Sequence, residues 1–241
     1  DPGSGCSVYA GVNIKEYDSL NQQMNIWHFG NNAGIDFNGL PNDPIVPIVG
    51  PLDAPEGTSV ISDRNGQVIF TTDGQNIFVR GPGPGHNYVD ITPAPNPPGI
   101  GGDPQSTQSA LIIPVPGDET LFYIFTTEAA DGANGTYELR YSLFDLKLNN
   151  GTGGLAQYNQ LLFAPSTERI TSNGNWLIAH EFGNNSFRAY PISVQGIGNP
   201  IVSEIGSDHS LAITAHGHGY MELGGGNLLA VALSTPAVSN V

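Results

Sequence analysis

The feature that most constrains the fold is a hairpin unit that recurs roughly every 50 residues, a period typical of repeat architectures. It first occurs as SVISDRNGQVIFTTDGQNIFVR, from Ser59 to Arg80. Its runs of Val, Ile, Phe and Thr suit half-buried strands, while Asn65-Gly66 and Asp73-Gly74 supply turn residues. Looser copies of the unit surround the turn glycines Gly117, Gly174 and Gly225. The pattern predicts antiparallel strands joined by tight turns.

The spacing of this unit, with about four strands in each copy, predicts an all-β chain and a β-propeller. The 32 glycines and 19 prolines of this 241-residue chain interrupt the sequence too often for long helices. An irregular β-sandwich with regular hairpins is the alternative interpretation. Four blade-like repeats are visible, and we expect them to be part of a larger propeller.

Domain organisation follows from these repeats. We expect an N-terminal segment over residues 1–24 and a propeller domain over residues 25–241, incomplete because the last unit lacks a clear outer strand after Ser234. Unpaired strand edges are normally covered. The last sheet could be completed by the N-terminal strands, by a neighbouring subunit or by a continuation beyond Val241, which is the expectation that we favour.

Two local predictions concern the core and the first turn. Bulky side chains are predicted to pack between sheets: Phe70, Phe122, Phe125, Trp176 and Phe187. Truncation of Trp176 to alanine would then cost about 3–5 kcal/mol. The Asn65-Gly66 pair predicts a primed hairpin turn with positive φ at Gly66.

Charge and cysteine content exclude several classes of function. The chain has 7 basic and 22 acidic residues, a net charge of −15, which argues against nucleic-acid binding and against anionic membrane surfaces. No stretch approaches the roughly 20 apolar residues of a transmembrane helix. The single cysteine, Cys6, excludes an internal disulfide. The few lysines and the many Asn, Thr, Gly and Asp residues favour a secreted protein.

Three segments, taken in order, carry a family resemblance: NIWHFGNNAGIDFN (25–38), EGTSVISDRNGQVIFTTDGQNIFVR (56–80) and STQSALIIPVPGDETLFYIFTT (106–127). They resemble the propeller region of large secreted surface proteins of gliding, type IX-secreting bacteria. Those proteins often carry PKD-type repeats and a C-terminal sorting domain, neither of which is present in this sequence. The resemblance implies export to the cell exterior or surface and a propeller of seven or a similar number of blades. It implies no established enzyme activity.

Histidines near the C-terminus are candidate metal ligands. In SDHSLAITAHGHGY, Asp208, His209, His216 and His218 could together bind zinc, because imidazole and carboxylate are zinc ligands. The alternative is that they are polar residues at a junction between a loop and a strand. His180 and Glu181 do not predict a metalloprotease helix, since their surroundings are typical of a strand.

Other candidate sites lie in loops. Acidic turns at Asp63, Asp73, 103–108 and 131–136 could bind calcium, although turn formation alone explains them. No cofactor is otherwise indicated. His86 and Tyr88, in the proline-rich tract over residues 81–104, could contact a carbohydrate or a peptide. The alternative is that the tract is an ordered spacer.

The favoured function is that of a non-enzymatic propeller module, extracellular or at the cell surface, for adhesion, ligand binding or surface assembly. Its partner would be an extracellular glycan or protein. One alternative is a secreted hydrolase or lyase that acts on polysaccharide; another is a self-associating protomer of a fibre or sheath. No nucleophile elbow, phosphate loop or dinucleotide fingerprint occurs. Two carboxylates and a histidine converging in a central channel would favour an enzyme.

Overall fold

A computed structural model describes residues 22–40, 42–83, 85–94, 99–132, 135–224 and 228–233. Strands account for 44% of the residues and helices for 3%, so the prediction of an all-β chain with almost no helix is confirmed. The helical segments are short, Leu148–Gly151 and Thr214–His216. Among the described residues, no helix has the length and apolar character needed to cross a membrane.

The strands, in chain order, are β1 (Ile26–His28), β2 (Ala33–Asp36), β3 (Val46–Val49), β4 (Ser59–Ser62), β5 (Val68–Thr72), β6 (Ile77–Arg80), β7 (Tyr88–Asp90), β8 (Ala110–Pro114), β9 (Leu121–Thr127), β10 (Leu139–Asp145), β11 (Gly154–Phe163), β12 (Ser166–Ser172), β13 (Trp176–Glu181), β14 (Ser186–Ser193), β15 (Gly196–Ile197), β16 (Ile201–Glu204), β17 (Met221–Leu223) and β18 (Leu229–Val231).

These strands form five antiparallel sheets in which most strands pair with the next strand along the chain. Sheet A contains β1–β3, sheet B β4–β7, sheet C β8–β11, sheet D β12–β16 and sheet E β17–β18. In sheet D, β15 and β16 pair with different parts of β14 and together fill the fourth position. Sheets B, C and D are therefore versions of one four-stranded meander.

The turn glycines that revealed the repeat occupy equivalent places in these meanders. Gly66, Gly117 and Gly174 all have positive φ, and each lies in the hairpin between the first and second strands of its sheet. Gly225, the fourth predicted turn glycine, lies outside the described residues. The repeat read from the sequence is thus confirmed for sheets B, C and D.

The first strand of each sheet lies beside the first strand of the next. β1 contacts β4, β4 contacts β8, β8 contacts β12, and β12 contacts β17. The outer strands consequently point away from this shared line of first strands. None of the described sheets is itself closed, and contacts between first strands link the sheets in chain order.

Sheet C is packed on both faces, because successive side chains of a strand point to opposite sides. On one face, Ile113, Tyr123 and Phe125 pack against sheet D in a cluster that includes Leu177 and Tyr190. On the other face, Ile112, Phe122, Ile124 and Phe144 pack against residues of sheet B that include Phe70 and Val79. Burial of two opposite apolar faces fixes the register of sheet C, since a slip of one residue would exchange them.

The core prediction is right for three aromatic residues and wrong for two. Phe70, Phe122 and Phe125 are at most 1% exposed. Trp176 and Phe187 are only partly buried, and it is Leu177 that β13 places in the core. The backbone N–H of Trp176 donates to Oδ1 of Asn173, so the turn ends at Trp176 and the inward position falls one residue later.

The turn at Asn65-Gly66 is of a different type from the predicted primed turn. Gly66 has φ of +75°, as predicted, but Asn65 does not have positive φ. The N–H of Gly66 donates to the carbonyl of Asp63 at 3.0 Å, and the N–H of Asp63 donates to Gln67 at 2.8 Å. This is a type I turn followed by a bulge at a left-handed glycine. The Asp63 carboxylate stabilises it by accepting the N–H groups of Asn65 and Gln67.

Sheet A has one covered face and one apolar face that no other described residue covers. Ile26 and His28 point inward and are at most 3% exposed. The opposite face carries apolar side chains from all three strands, among them Trp27, Ile35, Pro47 and Val49. Trp27 is 51% and Val49 is 71% exposed, an unusual exposure for the large apolar residues of one sheet face.

Alanine substitutions in β13 test the observed strand phase. Leu177→Ala should lower the free energy of unfolding by about 2–5 kcal/mol, because it opens a cavity between sheets C and D. Trp176→Ala should cost less than Leu177→Ala, and less than about 3 kcal/mol, because its ring is not in that cluster. Urea unfolding curves measure both values. A larger loss for Trp176→Ala than for Leu177→Ala would contradict the phase.

Two glycines with positive φ provide a matched test of the first turn. Alanine at either Gly66 or Gly174 should cost about 1–2 kcal/mol for the left-handed backbone conformation. At Gly66 the new Cβ would also collide with the Asn38 side chain, whereas at Gly174 no atom lies within 4 Å. Gly66→Ala should therefore destabilise the protein more than Gly174→Ala in thermal melts, and equal losses would contradict the close contact with Asn38.

Candidate functional site

A polar cavity of about 280 Å³ lies where sheet A meets sheet B. Its lining combines residues at or next to the ends of β2, β6 and β7 with residues of the first hairpin of sheet B: Asp36, Asn38, Asn65, Gln67, Arg80, His86 and Tyr88. The functional side chains thus come from four separate parts of the chain. A few convergent polar groups in a concave site are typical of a binding pocket.

Hydrogen bonds hold the sheet A side of this pocket in place. Asp36 ends β2, and its Oδ1 accepts the backbone N–H of Asn38 at 2.7 Å. The Asn38 side-chain amide donates to the carbonyl of Gly66 at 3.0 Å. The bulge at Gly66 thereby joins sheet A to the first hairpin of sheet B, and it fixes the position of Asn65 at the pocket wall.

Tyr88 connects the pocket to a buried histidine. Its hydroxyl lies 2.9 Å from Nε2 of His28 and 3.5 Å from Nδ1 of His86. The Tyr88 and His28 rings meet edge to face, with centroids 5.3 Å apart. Burial raises the pKa of Tyr88 to about 12 and lowers the pKa of His28 to about 4. Both side chains are therefore neutral near pH 7.

The hydrogen-bond network assigns the proton between His28 and Tyr88. Nδ1 of His28 is buried and has no hydrogen-bond partner among the described residues. An unpartnered buried donor is rarer than an unpartnered acceptor, so we assign the proton to Nε2. Nε2–H then donates to the Tyr88 oxygen, and the Tyr88 O–H is left to donate elsewhere. A nearby acceptor for this proton is Nδ1 of His86, at 3.5 Å, and a ligand in the pocket would offer another.

The sequence prediction selected two of these pocket residues and missed the others. His86 and Tyr88, expected to contact a carbohydrate or a peptide, do line one cavity together. The later part of their proline-rich tract, where the structure describes it, does not line the cavity, and its Ile100 is fully buried in the core. Asp36 is the last residue of β2 and Arg80 is the last residue of β6. A polar residue at the end of a predicted strand is the sequence signal that could have identified both as candidate site residues.

A second polar cluster surrounds Glu168, a fully buried residue of β12. Its carboxylate accepts four hydrogen bonds: from the N–H of Ala130 at 2.8 Å, from the N–H and hydroxyl of Thr107 at 2.9 and 2.7 Å, and from Nδ1 of His218 at 3.0 Å. His218, a candidate metal ligand, thus bonds to a carboxylate that is already held by neighbouring sheet and loop residues.

Arg169, the next residue, is also fully buried, and it holds the segment that contains the candidate metal ligands. Its guanidinium donates to backbone carbonyls of His216, Gly217, His218 and Ala232. It also lies 3.4 Å from Nδ1 of His209. Because the guanidinium has five carbonyl or imidazole acceptors around it, its charge is stabilised without a direct carboxylate partner.

The histidines of this cluster have structural contacts. His209 stacks on His180 with ring centroids 3.7 Å apart. Burial, together with the neighbouring His180, Arg169 and His216, lowers the pKa of His209 to about 3. Burial is also the main cause that lowers the pKa of His180 to about 4. Nδ1 of His216 accepts the N–H of Ser210 at 3.2 Å. His180 and Glu181 lie in β13, so the expectation of a strand there is confirmed.

The candidate metal ligands do not converge in this arrangement. Asp208 is exposed, whereas His209 is buried against Arg169. In the described ranges, no group of three or more His, Cys, Asp or Glu side chains is placed to hold a metal ion. In the turns considered for calcium, the carboxylates of Asp63, Asp73 and Asp103 accept amides of their own turns. Metal binding by any of these residues stays a prediction.

Comparison of the chain with models of protein families, with curated proteins and with solved structures finds no match. The resemblance to the propeller region of exported bacterial surface proteins is therefore carried by the three sequence segments alone. The functional interpretation depends on the geometry of the pocket and of the buried cluster.

The low pKa of His180 predicts acid sensitivity with a defined sign. The unfolded chain binds a proton at His180 below about pH 6.5, whereas the folded chain does so only near pH 4. His180 should therefore lower the free energy of unfolding as the pH falls from about 6.5 to about 4. Above about pH 6.5 it should leave that free energy unchanged. Urea unfolding from about pH 4 to 7 should show a shallower loss for His180→Phe than for the unmodified chain. Parallel pH profiles would contradict this assignment.

Proposed function

We propose that this protein is a non-enzymatic ligand-binding module of β-propeller architecture that acts outside the cell or at its surface. The observation that carries this proposal is the pocket between sheets A and B, in which His86 and Tyr88 meet Asp36, Asn65, Gln67 and Arg80. Loops and strand ends on a rigid sheet scaffold are the usual place for such a site.

The propeller assignment is supported by how the sheets succeed one another. Repeated four-stranded meanders pack face to face, and their first strands lie side by side. A β-propeller consists of such sheets arranged radially around a central axis. The exposed apolar face of sheet A is the surface that a further sheet would cover if the array continued into a ring.

The chemistry of the pocket supports binding over catalysis. With its pKa raised to about 12, Tyr88 remains a protonated phenol near neutral pH and acts as a hydrogen-bond donor and acceptor. Near the line of first strands, the carboxylate of Glu168 already accepts four hydrogen bonds. A carboxylate held in this way is poorly suited to exchange a proton with a substrate.

An extracellular location is supported by composition and by resemblance. The scarcity of lysine and the many Asn, Thr, Gly and Asp residues favour a secreted chain. The resemblance to exported surface proteins agrees with this location. On this proposal, the partner is an extracellular glycan or protein that meets the pocket from solvent.

Chemical-shift mapping with the isotope-labelled chain tests the proposal. Small saccharides and short peptides are added one at a time, and we expect at least one to perturb the amides of Asp36, Asn65, Gln67, Arg80 and Tyr88. The His86→Ala variant should weaken that ligand by about tenfold, equivalent to one good hydrogen bond to a polar group. The control is Tyr158→Phe, at an exposed position of β11.

An assay for turnover separates binding from catalysis. Polysaccharides incubated with the chain should release no new reducing ends or unsaturated products. Product release that His86→Ala abolishes would replace the proposal with the hydrolase or lyase alternative. The absence of any perturbation at the pocket would refute a binding role for it.

A further inference from the structure

The pocket adjoins a second cavity of about 420 Å³. Gln67, Val68 and Arg80 line both cavities, and the second also reaches Asp63 and Thr152. Each cavity lies near the lower end of the size range of small-molecule sites, about 300 Å³. The pair therefore suits an elongated ligand with two or more similar units better than a single compact molecule.

The wall shared by the two cavities carries a pair of planar polar groups. Nη1 of Arg80 donates to Oε1 of Gln67, so each group orients the other. Guanidinium and amide groups can each bond two neighbouring oxygen atoms of a ligand in one plane. Adjacent hydroxyl groups on a sugar ring present their oxygens in such pairs, and they both donate and accept.

The balance of donors and acceptors distinguishes alcohols from anions. Arg80 and the Tyr88 O–H supply donors. Asp36 in the first cavity and Asp63 in the second use Oδ1 for turn amides, and their carboxylates supply the further acceptor atoms. Ligand carboxylates and phosphates are negatively charged and cannot donate hydrogen bonds, so Asp36 and Asp63 would repel such ligands. The net charge of −15 adds a long-range repulsion.

A peptide is a poorer fit than a sugar for the same cavities. Glycines form part of both walls, at Gly66 and Gly85 in the first cavity and at Gly81, Gly83 and Gly151 in the second. They provide backbone surface, and among its described lining residues the first cavity has a single aliphatic side chain, Val68, to surround the side chain of a peptide. Peptide recognition relies on such side-chain pockets or on a free strand edge.

We infer that the two cavities are adjoining subsites for a neutral oligosaccharide. Neighbouring sugar units contact the Arg80–Gln67 pair from its two sides. The Tyr88 hydroxyl accepts the hydrogen bond of His28 Nε2–H and donates its own proton to a sugar oxygen in the first subsite. This inference rests on the proposed binding function and specifies the ligand. Thr152 contacts only the unit in the second subsite.

The test uses calorimetry and chemical-shift mapping with the full chain. Its probes are neutral tetrasaccharides of α- and β-linked glucose, mannose and N-acetylglucosamine, the matching disaccharides, tetragalacturonate and a set of tetrapeptides. We expect at least one neutral tetrasaccharide to bind at least about tenfold more tightly than its disaccharide. Its affinity should change little between about 50 and 500 mM salt, since no ionic contact with the ligand is made.

Three variants assign the contacts. Arg80→Met and Tyr88→Phe should each weaken the tetrasaccharide by about tenfold or more, because each removes a donor and leaves its acceptor unpaired. Thr152→Val should weaken the tetrasaccharide but leave the disaccharide unaffected. Tyr158→Phe, on the exposed side of β11, is the matched control and should leave both affinities unchanged.

The outcomes separate this inference from the function on which it rests. Pocket perturbation by tetragalacturonate or by peptides, with none by the neutral sugars, overturns the inference and leaves the binding function intact. Equal affinity for disaccharide and tetrasaccharide, or affinity that is insensitive to Tyr88→Phe and Arg80→Met, also overturns it. No perturbation of the pocket by any probe overturns both.

Discussion

The burial of two adjacent charged residues in β12 is the constraint on which the later part of the fold depends. Glu168 and Arg169 are fully buried, and each would be strongly destabilising without partners. The Glu168 carboxylate bonds to Thr107, to Ala130 and to the His218 side chain, while the Arg169 guanidinium bonds to backbone carbonyls of the segment 216–218 and of Ala232. β12 therefore fits in only one place between sheet C and the C-terminal segment.

The two polar clusters of the molecule differ in the hydrogen-bonding capacity that they leave free. The Glu168 carboxylate accepts hydrogen bonds from two backbone amides, a hydroxyl and a histidine, so this cluster stabilises the fold. Between sheets A and B, the bond from buried His28 to the partly buried Tyr88 instead leaves the Tyr88 hydroxyl proton free for another acceptor. This difference, more than the number of histidines, identifies which cluster is the candidate binding site.

The sequence predicted the features that depend on local chemistry. Left-handed glycines at Gly66, Gly117 and Gly174 mark tight turns because only glycine adopts that conformation without strain, and these turns revealed the meanders. The strand phase after Gly174 was wrong because Trp176 and Leu177 are both apolar, so alternation alone could not decide which points inward. Contacts such as that between Thr107 and Glu168 join distant parts of the chain, and no local pattern indicates them.

Sheet C buries apolar side chains on both faces, and sheet A carries apolar side chains on both faces although only one is covered within the described ranges. A sheet with two apolar faces does not itself limit how many sheets can stack. In stacked arrays the number is limited by closure into a ring or by a terminal sheet whose outer face is polar. Duplication or loss of one meander would leave every remaining interface chemically similar. Genes for chains of this design can thus change their number of sheets without first inventing a new kind of contact.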